Sequence, residues 1–205
     1  MTARQSRADA DRFETAALPR AFFERPPDVV ARELVGCLLV VHDPGALRRA
    51  LLVETEAYGG ADDPASHAYR GPTPRSAVMF GPAGVLYVYR SYGVHWCANV
   101  VTGGTGVPGA VLLRGAQIVA PASDVGTAAL LRGPGNLTRG LAITGEDQAR
   151  DCCAGPGARI TLHAPRGATR QAIVARSARV GLTKAPERMS RYYLAGHPAV
   201  SAGPR

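Results

Sequence analysis

Apolar residues fall in short runs along the chain, each well below the ~20 that a membrane-spanning helix needs. Residues 1–17 are polar and Ala-rich and are expected to form a flexible tail, leaving 18–205 as a single domain. From Leu18 the chain turns apolar, and Leu-Pro-Arg-Ala-Phe-Phe-Glu-Arg-Pro-Pro makes an anchoring segment with two aromatics. Residues 28–35 place apolar side chains at helical spacing, with Asp28 as N-cap and Gly36 as stop. Residues 37–42 read as a buried strand, 43–45 as a turn and 50–58 as the hairpin partner. The Pro-punctuated stretch 59–83 reads as a long loop, which in a compact domain usually carries function. Strands follow at 85–90 and 94–101 around a tight turn at Ser91-Tyr92-Gly93, and again at 110–114. Residues 120–131 fit neither period; Gly133-Pro134-Gly135 opens a helix, and short strands close the chain at 160–163, 173–175 and 192–194. The pattern predicts one mixed α/β domain of the α+β type with mainly antiparallel strands.

Composition narrows the class. An apolar fraction of 46% excludes a wholly disordered chain, and 24 Gly with 16 Pro in 205 residues make it turn-rich. The first residues carry no apolar secretory core, so a cytoplasmic location is expected. The net charge of +8 is uneven: residues 64–145 hold six Arg against Asp124 alone, and 159–191 hold eight basic residues against Glu187. Such acid-poor segments suit a polyanion, or else a plain solvated basic surface. Cysteines at 37, 97, 152 and 153 and five scattered His give no metal-ligand spacing, so no metal is expected. Of the 24 basic residues 23 are Arg, which leaves Lys184 or the amino terminus as the amines available for Schiff-base chemistry.

Three places could hold chemistry. Alternation along 53–58 puts Glu54, Glu56 and Tyr58 on one strand face. If that face is buried, a carboxylate there must be paired or used as a base; if it is an exposed edge, the charges only discourage aggregation. In 86–93, Tyr87 and Tyr89 share a face that could frame a flat ring, and Tyr92 sits at a hairpin tip where it either wedges into a base stack or packs on a neighbouring loop. Gly133-Pro134-Gly135 could offer backbone N–H groups to a phosphate or be a turn and nothing more.

Taken in order, Val53-Glu-Thr-Glu-Ala-Tyr58, His67, Thr73-Pro-Arg75, Met79-Phe80, Leu86-Tyr-Val-Tyr89, Tyr92-Gly93, Asn99 and Val111-Leu-Leu-Arg114 resemble the alkyladenine (3-methyladenine) DNA glycosylases of the mammalian type. Phe22-Phe23, Gly133-Pro134, Arg179-Val-Gly181 and Tyr192-Tyr193 extend the resemblance to about residues 18–201. It implies a curved antiparallel sheet with a protruding β-hairpin and flanking helices, and a monofunctional enzyme that flips alkylated or deaminated purines out of duplex DNA. By resemblance, Glu56 activates the attacking water, and Arg114 and the carbonyl of Val180 help to hold it. Tyr58, His67 and Tyr89 would enclose the flipped base, Asn99 would test the purine's exocyclic position, and Tyr92 would fill the vacated stack. Arg75, Met79 and His95 would meet the DNA. No metal or organic cofactor is implied; the partner is double-stranded DNA, the protein acts as a monomer, and no membrane is involved. Two other readings compete: a non-catalytic nucleic-acid-binding module resting on the basic segments, and a carbohydrate hydrolase using Glu54 and Glu56 as a carboxylate pair.

Overall fold

A computed structural model describes residues 16–43, 46–119, 129–155, 157–164 and 173–203. Most of the expected tail, residues 44–45 of the expected turn and most of 120–131 lie outside the described residues.

Among the described residues nine strands form one curved antiparallel sheet, and the helices are few and short, so the fold is mixed α/β and mostly sheet. The strands are β1 (Leu38–Asp43), β2 (Ala46–Tyr58), β3 (Leu86–Ser91), β4 (His95–Thr102), β5 (Gly109–Ile118), β6 (Leu130–Arg132), β7 (Ile160–His163), β8 (Val174–Ser177) and β9 (Arg191–Leu194). The main path runs β3-β4-β5-β2-β1-β7, with β6 beside β5 and with β9 joining β2 to β8. Helices α1 (Arg20–Phe23), α2 (Pro27–Leu34) and α3 (Pro134–Gly140) pack around it, and a 3-10 turn at Ala77–Phe80 interrupts the expected loop.

Helix α2 buries Val30, Ala31 and Leu34 completely, and its Ala31 carbonyl accepts from Thr55 Oγ1 at 2.8 Å, fixing the helix to β2. Its start corrects the sequence reading. Pro26 occupies the cap position and Pro27 the first helical one, where a missing N–H costs nothing; Asp28 instead accepts from the Tyr192 hydroxyl at 2.8 Å. Strand β2 begins at Ala46, four residues earlier than expected, because the polar stretch Ala46-Leu-Arg-Arg49 lies on the outer part of the sheet, paired with β1. Helix α3, opened by the expected Gly133-Pro134-Gly135 turn, stops at Gly140, and Ala142 adopts a positive φ of 53 beyond it.

The irregularity that matters is in the centre of the sheet. The β2–β5 register slips between Leu52 and Glu54 and again between Glu54 and Thr55, leaving Val53 and Arg114 without direct partners. Bulges of this kind bend a strand and re-aim a side chain. Gly115 makes room for it: a Cβ there would lie 2.8 Å from the Ala199 carbonyl and 3.1 Å from the Glu54 side chain.

Candidate active site

Strand β2 is flanked by β5 on one side and by β1 and β9 on the other, so its acidic face is interior and not an exposed edge. Glu54, Thr55 and Glu56 have no solvent exposure, and Arg114 from the bulge of β5 lies between the two carboxylates. Glu54 Oε1 accepts from Arg114 Nε at 3.0 Å, Arg191 Nε at 2.7 Å and Ser201 Oγ at 2.7 Å, while Oε2 accepts from the Ser201 N–H at 2.7 Å. Burial pushes the Glu54 carboxyl upward, but the Ser201 amide and the two guanidiniums outweigh it, and the group is held below the usual carboxylate range. With its lone pairs occupied and its charge fixed, Glu54 anchors Arg114 and has no proton to lend as a general acid. That removes the physical basis of a carboxylate-pair sugar hydrolase.

Glu56 is held differently. Its Oε1 accepts from the Val180 N–H at 2.7 Å, and its Oε2 from the Tyr58 hydroxyl at 2.9 Å and more loosely from Arg114 Nη1 at 3.4 Å. Burial, and then the Glu56 charge, push the Tyr58 phenol well above its ordinary value, so it stays protonated and donates. Glu56 lines neither the slot nor the groove described next. It lies directly behind Tyr58, Arg114 and Val180, which all line the groove.

A slot of about 90 Å³ is lined by Tyr58, His67, Met79, Tyr87, Tyr89, Asn99 and small or apolar neighbours including Leu182. The His67 and Tyr89 ring centroids are 4.7 Å apart and those of Tyr87 and Tyr89 5.3 Å, so the aromatic groups pack as one wall. His67 Nδ1 meets the Tyr87 hydroxyl at 2.8 Å, which fixes the imidazole plane. Burial, then the charge of Arg75, lowers the His67 pKa below its ordinary value, so the ring is neutral at neutral pH. Asn99, opposite Tyr87 in the β3–β4 ladder, donates Nδ2 to the Tyr87 carbonyl at 3.0 Å. Met79 is only 2% exposed and forms part of the slot, so it has no surface to offer the outside of a duplex.

The slot opens into a groove of about 700 Å³ lined by Arg75, Arg90, Tyr92, Arg114 and Val180 among others. At its rim the β3–β4 hairpin carries Tyr92 at its tip, 96% exposed. Tyr92 and Gly93 both have positive φ, 50 and 70, and the Val94 N–H bonds the Ser91 carbonyl at 3.0 Å. A left-handed conformation costs a non-glycine residue about 1–2 kcal/mol, and this tyrosine gains no packing in return. It is placed outward by the turn itself. The base of the hairpin is braced: Gly135 lets the helix α3 turn approach so closely that a Cβ would lie 2.9 Å from the His95 side chain. Arg75 stands 4.8 Å from the centre of Tyr89 and Arg90 4.7 Å from that of Trp96, so both guanidiniums are held at the groove by aromatic faces.

Thus Glu56, Arg114, Val180, Tyr58, His67, Tyr89 and Asn99 converge on one site, and Tyr92, Arg75 and His95 stand on the hairpin side of the groove. Sequence reasoning missed Ser201 and Arg191, which complete the Glu54 lock, and the Asp63–Arg179 pair beside Tyr58. No local pattern announces these contacts, because their partners lie more than a hundred residues apart. Among the described residues no group of three or more His, Cys, Asp or Glu could hold a metal, and no helix is long and apolar enough to cross a membrane.

The sequence profile of the Methylpurine-DNA glycosylase (MPG) family matches residues 21–198. A protein of Frankia casuarinae is 48% identical over 199 residues, covering 90% of this chain and 91% of its own. One from Methanoculleus marisnigri is 42% identical over 193 residues (90% and 98%), and one from Mycobacterium sp. strain KMS is 43% identical over 189 residues (86% and 88%). All three carry the name "Putative 3-methyladenine DNA glycosylase".

Proposed function

The chain belongs to the methylpurine-DNA glycosylase family, and from that premise we propose that it excises alkylated and deaminated purines from duplex DNA, with Glu56 as the base that activates water. The observation that carries this reading is the buried Glu56 carboxylate, gripped by a backbone amide and a phenol directly behind an aromatic slot. A base inside a duplex is out of reach, so it must be swung out of the stack, at a cost of a few kcal/mol. Tyr92 offsets part of that by entering the space the nucleotide leaves. The extruded purine lodges between Tyr58 and the His67–Tyr89 wall. A purine alkylated at N3 or N7 is cationic, and electron-rich tyrosine faces attract it by ~0.5–2 kcal/mol, a discrimination against intact neutral bases. A neutral His67 adds no repulsion.

The water lies on the groove side of Arg114 and reaches Glu56 Oε2, whose 3.4 Å bond to Arg114 Nη1 is the longest around the carboxylate and the first to yield. Glu56 takes a proton from the water, the oxygen bonds to the anomeric carbon, and the glycosidic electron pair leaves with the purine; a cationic alkylated purine departs neutral, and a neutral deaminated one takes up a proton from solvent as it departs. The product is a free base and an abasic site. Arg114 orients the water from one side, and the Val180 carbonyl, on the residue whose N–H fixes Glu56, accepts a hydrogen bond from its second O–H, which stays on the oxygen as the hydroxyl of the abasic sugar.

The chemistry is read as hydrolytic, with no enzyme–sugar adduct, because the site is built from a carboxylate and guanidiniums and Lys184 lines neither the slot nor the groove. Borohydride added during turnover of a methylated duplex is expected to trap no protein–DNA adduct while free base accumulates. A trapped adduct would assign the attack to an amine. Tyr92→Ser is expected to lower kcat/KM on a lesion-bearing duplex by about 10- to 100-fold, the worth of ~1–3 kcal/mol of stacking, and to leave a single-stranded substrate within about threefold. Equal losses on both would return Tyr92 to a packing role.

A further inference from the structure

One buried ion pair beside the slot has no part in the chemistry above. Asp63 is wholly buried and Arg179 is 3% exposed; Arg179 Nη1 donates to Oδ2 at 2.6 Å and Nη2 to Oδ1 at 2.9 Å. Arg179 Nη1 also donates to the Ala57 carbonyl at 3.1 Å. Asp63 in turn accepts the Gly59 and Ala65 N–H groups at 2.9 and 3.2 Å, so the pair ties the loop that leads to His67 to the segment that carries Val180. Most telling is where the positive end lies: the guanidinium carbon stands 4.7 Å from the centre of the Tyr58 ring.

The Tyr58 ring is therefore already in contact with a cation before any base arrives. A first cation draws π density toward itself and occupies one face of the ring; Asp63 offsets its charge at longer range, so its effect on a second cation is passed chiefly through Tyr58. We propose that Arg179 sets the charge selectivity of the slot, offsetting the pull of the tyrosine faces on positively charged bases so that neutral damaged purines compete for the same site. The inference rests on the glycosylase reading and extends it to substrate choice. Arg179 acts through Tyr58 and is a specificity-determining residue, not a catalytic one.

The test compares single-turnover base release from two duplexes, one with 7-methylguanine (cationic) and one with hypoxanthine (neutral). Dividing the rate ratio of a variant by that of the wild type cancels the intrinsic reactivities. Arg179→Met keeps the apolar stem, and Asp63 still has Arg188 Nη1 at 3.5 Å, so its charge is not stranded. The expected result is a shift of about three- to tenfold in favour of the cationic lesion, the scale of one cation–π contact. Arg179→Lys, which restores the charge without the fork, should bring the ratio back to within about twofold of wild type. Equal rate losses on both lesions, or a shift with Lys as large as with Met, would overturn the proposal and leave the pair a structural clamp. A wild type that released neither base would instead sink the glycosylase reading. If Arg179→Met does not fold, Arg179→Gln, whose amide can still donate to Asp63, carries the same expectation. Should that also fail, wild-type binding to 2′-fluoro duplexes carrying 7-methylguanine or its neutral 7-deaza isostere decides. A preference for the cation under about tenfold agrees with the proposal, and one near a hundredfold overturns it.

Discussion

Arg114→Leu is expected to destabilise the protein by about 3–5 kcal/mol, the cost of leaving buried charge without its partner. In a chain of this size that lowers Tm by roughly 10 °C or more. Arg114 donates to Glu54 at 3.0 Å, to Glu56 at 3.4 Å and to Ser201 Oγ at 3.2 Å, from a side chain only 9% exposed between two carboxylates with no exposure. Without it the two carboxylates face each other with Arg191 as the one remaining guanidinium on Glu54. The sign of the pH dependence follows from Glu54. Its folded-state pKa is lowered, so the stability it contributes is present above the unfolded carboxylate value and is lost as pH falls through the folded one. In the variant that pKa rises, and the Tm gap between wild type and variant is therefore widest near neutral pH and narrows in acid. Thermal unfolding of both proteins from pH 7 down to about pH 4 measures it. A gap that stayed constant across that range would mean that Arg114 contributes packing and not charge compensation.

Much of this centre was legible in the chain. The period of two in Val53-Glu-Thr-Glu-Ala-Tyr58 puts both acids and Tyr58 on one face whatever the rest of the fold does, and the structure shows that face to be interior. The hairpin was equally local, since Tyr92-Gly93 between two apolar alternating runs allows little but a tight turn. What the alternation could not show is the slip of register at Val53 and Arg114, because a bulge depends on the partner strand and on the room left by Gly115. The division of labour between Glu54 and Glu56 was also hidden. It arises from β9 and Ser201, which reach β2 only after the whole chain has folded back. The helix start failed for a different reason: Asp28 looks like a cap in isolation, but two prolines had already defined the first turn, and its carboxylate went to Tyr192.

Glu56→Gln addresses the chemistry with the least disturbance to the site. The amide keeps the size of the carboxylate: its oxygen can still accept from Val180 N–H, and its NH2, in place of the other oxygen, can donate to a Tyr58 hydroxyl that turns to accept, so the slot walls and the groove stay in place. What it cannot do is take a proton from water. A general base contributes about 10²–10⁴-fold, and Glu56 is the carboxylate held by residues that line the groove, Tyr58, Arg114 and Val180, whereas the Glu54 oxygens are enclosed by Arg114, Arg191 and Ser201. The decisive measurement is single-turnover release of 3-methyladenine from a methylated duplex by wild type and Glu56→Gln, alongside the affinity of each for a duplex with one lesion. Wild type should release free base, and the variant should be slower by about a hundredfold or more while binding the lesion within about threefold. Release by Glu56→Gln at a rate within about tenfold of wild type would contradict the assignment of this carboxylate as the base.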